Sequence, residues 1–252
     1  MTHILLTNDD GIEAPGLRVL LQALKPHVRV TVFAPDHNWS AAGHTKTMHK
    51  PLRITPYNLL GEVEAYTTTG APSDCVALAL LGILDKAPDL VVSGINQGAN
   101  LGHDVTYSGT VAAAMEAVIF GLPAVAVSLD SYERQEFDFA AQVGLRVVRQ
   151  VIERGLPPGL FLNVNVPCRP PDEIAGVAVT ELGRRVYRDV LMERRDPRGR
   201  PYYWIGGEPP GGHLDGGTDI WAVANGYVSI TPIHLDMTAH DLIPELKAWQ
   251  FE

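Results

Sequence analysis

The chain has 252 residues, 46% of them hydrophobic, and a formal net charge of −9. That length buries a large core and suits one domain with an extension. The acidic balance argues against long nucleic acid, which needs a basic stripe, but leaves room for a local site that captures a small anion.

Residues His3 to Thr7 form a short apolar run that stops at Asn8-Asp9-Asp10-Gly11, which reads as a buried strand ending in a polar loop. Pro15 suits the first turn of a helix, and Leu17, Leu20, Leu21 and Leu24 follow at helical spacing. Val28 to Phe33 is the next strand, ended by Ala34-Pro35-Asp36. Strand, helix, strand is the unit of a parallel, doubly wound sheet. The pattern predicts a helix over Pro72 to Leu84, a strand at Leu90 to Val92, a helix from Gly109 to Phe120 and a strand from Ala124 to Ser128. Phe137 to Arg154 reads as a long amphipathic helix with Phe137, Ala140, Ala141, Val148, Val151 and Ile152 on one face, closed by Gly155, and Phe161 to Val166 as a further strand. The two cysteines, Cys75 and Cys168, are expected as free thiols in a reducing cytoplasm. No signal peptide is expected at Met1-Thr2-His3, and no apolar run reaches the ~20 residues of a membrane span, so no membrane partner is expected.

Beyond Pro170 the texture changes. Arg184 to Gly217 is rich in Arg, Pro and Gly and reads as extended hairpins; Gly226 to Thr231 reads as a strand and Ala239 to Trp249 as a final helix. The expected layout is an α/β core over residues 1–175 and a C-terminal hairpin and helix extension over residues 176–252. Such an arm packs on a second subunit, because alone it cannot bury its apolar side chains. Tyr202, Tyr203 and Trp204 within it are candidates for stacking on a base, against the commoner reading of hairpin or interface packing.

In open parallel sheets ligands bind beyond the carboxyl ends of the strands. That rule selects Asn8, Asp9 and Asp10 after the first strand, Asp36, His37, Asn38 and Ser40 after the second, and Ser93 to Asn100 after a later one. Adjacent carboxylates at a strand end repel unless a cation lies between them, so Asp9 and Asp10 suit a hard divalent ion such as Mg²⁺, with the Ser40 hydroxyl and the Asn96 amide oxygen completing the shell. The competing reading of Asn-Asp-Asp-Gly is a simple capped turn. Ser108-Gly109-Thr110 opens a helix, where free N–H groups hold anions, although Ser108 as a plain N-cap is the alternative. His44, His103 and His234 are each candidate proton donors.

Taken together, Thr7-Asn8-Asp9-Asp10-Gly11, Ala34-Pro35-Asp36 leading to Ser40, Gly70-Ala71-Pro72-Ser73-Asp74-Cys75-Val76, Ser93 to Gly102 running on through Tyr107-Ser108-Gly109-Thr110-Val111, Gly217-Thr218-Asp219 and Gly226 to Pro232 resemble the survival protein SurE family of 5′/3′-nucleotidases. The resemblance implies a three-layer, Rossmann-like α/β core with a mainly parallel sheet and an arm exchanged between subunits of a homodimer, sometimes paired into a homotetramer. It also implies hydrolysis of nucleoside 5′- and 3′-monophosphates with one Mg²⁺ or Mn²⁺ per subunit. The family's metal ligands fall on Asp9, Asp10, Ser40 and Asn96, and its phosphate contacts on Ser108, Gly109 and Thr110, with Asn8 beside them. Asp9, Asp10 and Asn96 are the expected catalytic residues. The rival readings are a nucleotide-binding regulatory protein without turnover and a phosphatase or exopolyphosphatase acting on other phosphoesters.

Overall fold

The computed structural model describes residues 1–59, 61, 63–208 and 210–251, so two residues of the expected extension lie outside the described set. Nine strands form the central sheet: β1 (His3–Thr7), β2 (Arg29–Pro35), β3 (Ile54–Pro56), β4 (Ala65–Thr68), β5 (Leu90–Gln97), β6 (Ala124–Asp130), β7 (Leu160–Pro167), β8 (Gly176–Val179) and, last in the chain, Tyr227–His234. Between the last two lie the short strand β9 (Arg185–Val186), the hairpin β10 (Asp189–Arg195) and β11 (Pro201–Gly207), and β12 (Gly211–Gly212); Tyr227–His234 is therefore β13. The sheet order is β3-β4-β2-β1-β5-β6-β7-β13-β8. The run β4-β2-β1-β5-β6-β7 is parallel throughout, and antiparallel pairing is confined to β3 on β4 and β13 on β7.

Alternation along the strands makes three layers. Ile4, Leu6, Val30, Val32, Val92, Val125 and Val127 face one side, where α1 (Pro15–Leu24) and a long helix, Asp138–Arg154, bury Leu17, Leu20, Leu21, Val147 and Val148. Leu5, Phe33, Val91, Ala124, Ala126 and Phe161 face the other, beneath α2 (Pro72–Leu78) and α3 (Gly109–Ile119). The long helix is α4; it starts at Asp138 and its expected face holds except for Ile152, which is 38% exposed. Fully burying one such Leu or Val stabilises by about 1.5–3 kcal/mol, so the two apolar layers dominate the fold's stability. Pro15 occupies the first turn of α1 as expected, where its missing N–H costs nothing.

Three expected elements differ. The helix from Pro72 stops at Leu78 and passes into a looser π-turn, Ala79–Ile83, because Gly82 takes a left-handed φ of 123° and Leu81 and Ile83 find no cover. The strand at Leu90 runs to Gln97, five residues further, because Asn96 and Gln97 still pair with Ser128 and Leu129 after an irregularity. The final helix is shorter than expected, a 3₁₀ turn at His240–Leu242 followed by α6 (Ile243–Leu246), after α5 (Asp219–Ala224). Leu242, Ile243 and Trp249 remain exposed, so no packing supports a longer helix. Part of the expected extension, β8 and β13, lies within the central sheet, whereas β10 and β11 form a separate two-stranded hairpin. Among the described residues no helix is long and apolar enough to cross a membrane. Both cysteines are free; Cys75 is buried and Cys168 half-buried.

Candidate active site

The strand order reverses between β1 and β5: from β1 the chain builds outward through β2 and β4 on one side, and from β5 through β6 and β7 on the other. A crevice forms at such a switch point, beyond the carboxyl ends of the two strands. Here β1 ends into Asn8-Asp9-Asp10 and β5 ends at Asn96-Gln97. A cavity of about 230 Å³ lies there, its lining including Asp9, Ser40, Asn96, Ser108, Tyr107 and Tyr132.

Asn8 closes the first loop. Its Nδ2 donates to the Gly11 carbonyl at 2.9 Å and its Oδ1 accepts the Gly11 N–H at 3.2 Å. The side chain is fully buried, does not line the cavity and holds the turn. Gly11, at φ 100°, permits that turn. The second loop is stitched onto the first: Trp39 N–H donates to the Asp9 carbonyl at 2.7 Å, Asn38 Nδ2 to Asp10 Oδ1 at 3.1 Å, and Ser40 N–H to Asn38 Oδ1 at 2.7 Å. The third loop joins through Gln97 N–H, which donates to Asp10 Oδ2 at 3.2 Å. Asp10 thus ties the loops together and is only partly exposed; Asp9 is 3% exposed.

Helix α3 comes down directly on Asp9. A Cβ at Gly109 would lie 2.7 Å from Asp9 Cβ, so only glycine allows the helix start to approach this closely. The Thr110 hydroxyl donates to Asp9 Oδ1, so this residue ties the start of α3 to the first loop. Ser108 is the N-cap, accepting the Val111 N–H at 3.1 Å, and it also lines the cavity.

Burial pushes the Asp9 carboxyl up to about 6; the Thr110 hydroxyl pulls the other way, and neighbouring Asp10 adds to the rise. Burial raises Asp10 as well. No basic side chain contributes to either. Asn96 Nδ2 donates to the Gly98 carbonyl at 2.7 Å, which leaves its amide oxygen free, and the Ser40 hydroxyl is exposed beside it. Two carboxylates without a basic partner, an amide oxygen and a hydroxyl are hard oxygen donors, and this set fits a divalent cation of the Mg²⁺ type.

None of His44, His103 and His234 lines the cavity. His44 Nε2 lies 2.9 Å from Glu116 Oε2 and Lys46 Nζ donates to Oε1 at 3.1 Å; the His44 hydrogen bond is the main reason the Glu116 carboxyl is held below its usual range. His37 pairs with Asp36 at the surface, and Tyr202, Tyr203 and Trp204 sit on β11, outside the lining. The aromatic groups at the cavity are instead Tyr107 and Tyr132, 60% and 70% exposed, which the sequence reading passed over because single tyrosines in loops carry no periodic signal. Also missed was a buried amide clamp. Asn165 Oδ1 accepts the Asn100 N–H at 2.8 Å, and Asn163 Nδ2 and Asn165 Nδ2 donate to the Asn100 carbonyl at 2.9 and 3.1 Å. Its signal was present: two asparagines at period two inside the apolar strand Phe161 to Val166.

The family profile described as survival protein SurE matches residues 4–189. A 5′-nucleotidase SurE of Chloroflexus aggregans is 53% identical over 252 residues, covering 99% of this chain and 100% of that one. A second, from Herpetosiphon aurantiacus, is 52% identical and covers 97% of each. The crystal structure of the SurE protein from Aquifex aeolicus superposes with a TM-score of 0.84 at 44% identity, over 97% of this chain and 98% of that one. With its motifs in order, its fold shared and its profile matched over most of its length, the chain belongs to the survival protein SurE family.

Proposed function

We propose that the chain is a metal-dependent phosphatase that hydrolyses nucleoside monophosphates, the 5′-esters named for its relatives and 3′-esters as well, to nucleoside and phosphate. The observation that carries this reading is the convergence, at the sheet's switch point, of Asp9, Ser40 and Asn96 with Ser108 at the start of α3 around one cavity, Asp10 being tied to the same loops next to Asp9. Asp9, Asp10, Ser40 and Asn96 would hold one Mg²⁺ or Mn²⁺ per subunit. Such a cation supplies neutralising charge to the phosphoryl oxygens. The Ser108-Gly109-Thr110 helix start and the Ser108 hydroxyl would bind and orient the same oxygens. Thr110 keeps the Asp9 carboxylate in one orientation. Water attacks phosphorus, its oxygen forming the new P–O bond while the ester P–O bond breaks; the nucleoside oxygen leaves with a proton.

The exposed apolar side chains of β10 and β11 support a second copy of this chain as partner, in a homodimer or homotetramer; a cytoplasmic setting suits the free thiols. The test is phosphate release from a panel of 5′- and 3′-nucleoside monophosphates with and without Mg²⁺ or Mn²⁺, on wild type and Asp9→Asn. Metal-dependent release that drops at least about a thousand-fold in the variant is expected, since a cation clamp carries several kcal/mol of the barrier. A folded, metal-loaded protein that binds these nucleotides without turnover would instead be a regulatory binder.

A further inference from the structure

The segment Gly217-Thr218-Asp219 lies outside the cavity, yet it reaches the active-site loop. Asp219 is fully buried. Its Oδ1 accepts the N–H groups of Gly183 at 2.7 Å and Ile220 at 2.8 Å, and its Oδ2 accepts the Gly102 N–H at 2.8 Å. Three donors facing one side chain require an acceptor-only group, which a carboxylate is and an amide is not. The backbones it joins are in contact: a Cβ at Gly102 would lie 2.4 Å from the Gly183 carbonyl oxygen. Ile220 fills the space beneath, in a small apolar cluster with Ala99, Leu101 and Val223. The first turn of α5 is therefore a plug under residues 99–102.

The two carboxylate oxygens serve different structures. Oδ1 caps α5 and holds Gly183, whereas Oδ2 has Gly102 as its partner. Gly102 opens the turn 102–106, whose end is fixed by the Tyr107 and Ser108 N–H groups donating to the Asp104 carbonyl at 3.0 and 3.1 Å. The Asp104 side chain binds the turn to the same distant segment, taking Arg185 Nε at 2.6 Å and the Tyr187 hydroxyl at 2.5 Å. This turn lies in the chain between Asn96 and Ser108, both of which line the cavity.

We propose that Asp219 is a positioning residue for the reaction: through Gly102 it sets where Tyr107 and the start of α3 stand relative to Asn96. The proposal rests on the reading of this cavity as a phosphatase site.

Asp219→Asn tests it selectively. The amide oxygen can keep the two donors at Gly183 and Ile220, which turns the amide NH₂ toward Gly102 and severs only that bond. The control is Thr218→Ala, which removes the α5 cap to the Trp221 N–H, 3.2 Å long, and leaves Gly102 untouched. Turnover of a nucleoside 5′-monophosphate should fall about ten- to a hundred-fold in Asp219→Asn, the scale of a small misplacement of reacting groups. Amide exchange over residues 98–108 should accelerate in that variant, measured by mass spectrometry. Thr218→Ala should lose as much melting temperature yet keep turnover within about two-fold and its exchange over 98–108 unchanged. Equal losses in both variants, or wild-type turnover in Asp219→Asn, would overturn the proposal. Should Asp219→Asn fail to fold, Ile220→Val, which trims the contact under Gly102, takes its place in the same comparison. Failure of the phosphatase reading shows separately, as absent turnover in the wild type; the exchange difference then decides alone whether Asp219 holds the loop.

Discussion

The Thr110 hydroxyl donates to the Asp9 carboxylate across 101 positions of sequence, and it is the hydrogen bond that joins the start of α3 to the end of β1. Asp9 is 3% exposed, so the orientation of its carboxylate depends on this donor. Thr110→Val keeps the shape and removes the hydroxyl. Losing a hydrogen bond to a buried charged group should lower phosphate release about ten- to a hundred-fold, and Thr110→Ser should restore most of it. Valine activity equal to wild type would show that Asp9 needs no such partner.

The raised Asp9 carboxyl has a consequence for protein stripped of divalent cations. Its value of about 6 in the fold exceeds the ordinary 3.8, so the folded state holds this proton more tightly than the unfolded chain. The group's contribution is therefore fully present below about pH 4 and is lost as pH rises through 6, worth up to about 3 kcal/mol. Thermal melts of chelator-treated protein should fall by several degrees between pH 4.5 and 7.5, while Asp9→Asn stays flatter over the same window. An identical slope in the variant would place the effect elsewhere.

Tyr132 lies against Gly98, where a Cβ would approach its ring to 2.6 Å, and its carbonyl accepts Gln97 Nε2 at 2.7 Å. It is exposed and lines the cavity, so under the proposed function it is the side chain to test for stacking on the base. Base–aromatic stacking contributes about 1–3 kcal/mol, so Tyr132→Ala should raise KM for nucleoside monophosphates about ten-fold or more. KM for glycerol phosphate, which has no base, should not move. A parallel rise for both substrates would remove the stacking role.

Leu191, Trp204 and Ile205 on the β10–β11 hairpin are 67%, 61% and 81% exposed. A two-stranded hairpin cannot cover such side chains by itself. Replacing Trp204 and Ile205 together by Asp should shift the mass measured by light scattering toward that of a single chain. Wild type already at that mass, or a double variant unchanged from an oligomeric wild type, would exclude this hairpin as the contact.

Much of the site is legible in the order of residues. The apolar run His3 to Thr7 stopping at Asp9-Asp10, the Ser108-Gly109-Thr110 helix start and the ordered family motifs each depend on neighbours a few positions apart, and local periodicity reports those. Sequence alone thus determined the main strands of the parallel sheet, the helices α1, α3 and α4, and the loops after β1 and β5 as places for chemistry. The tertiary structure decided the rest: that β1 and β5 are adjacent at the reversal of strand order, that Thr110 turns its hydroxyl to Asp9, that Asn8 folds inward, that Asp219 reaches Gly102, and that the helix expected over 239–249 shortens to 240–246. The physical reason is common to all five. Periodicity encodes which way a side chain faces, not what it meets, and the partners are chosen by packing between segments that the chain brings together only when the whole core closes.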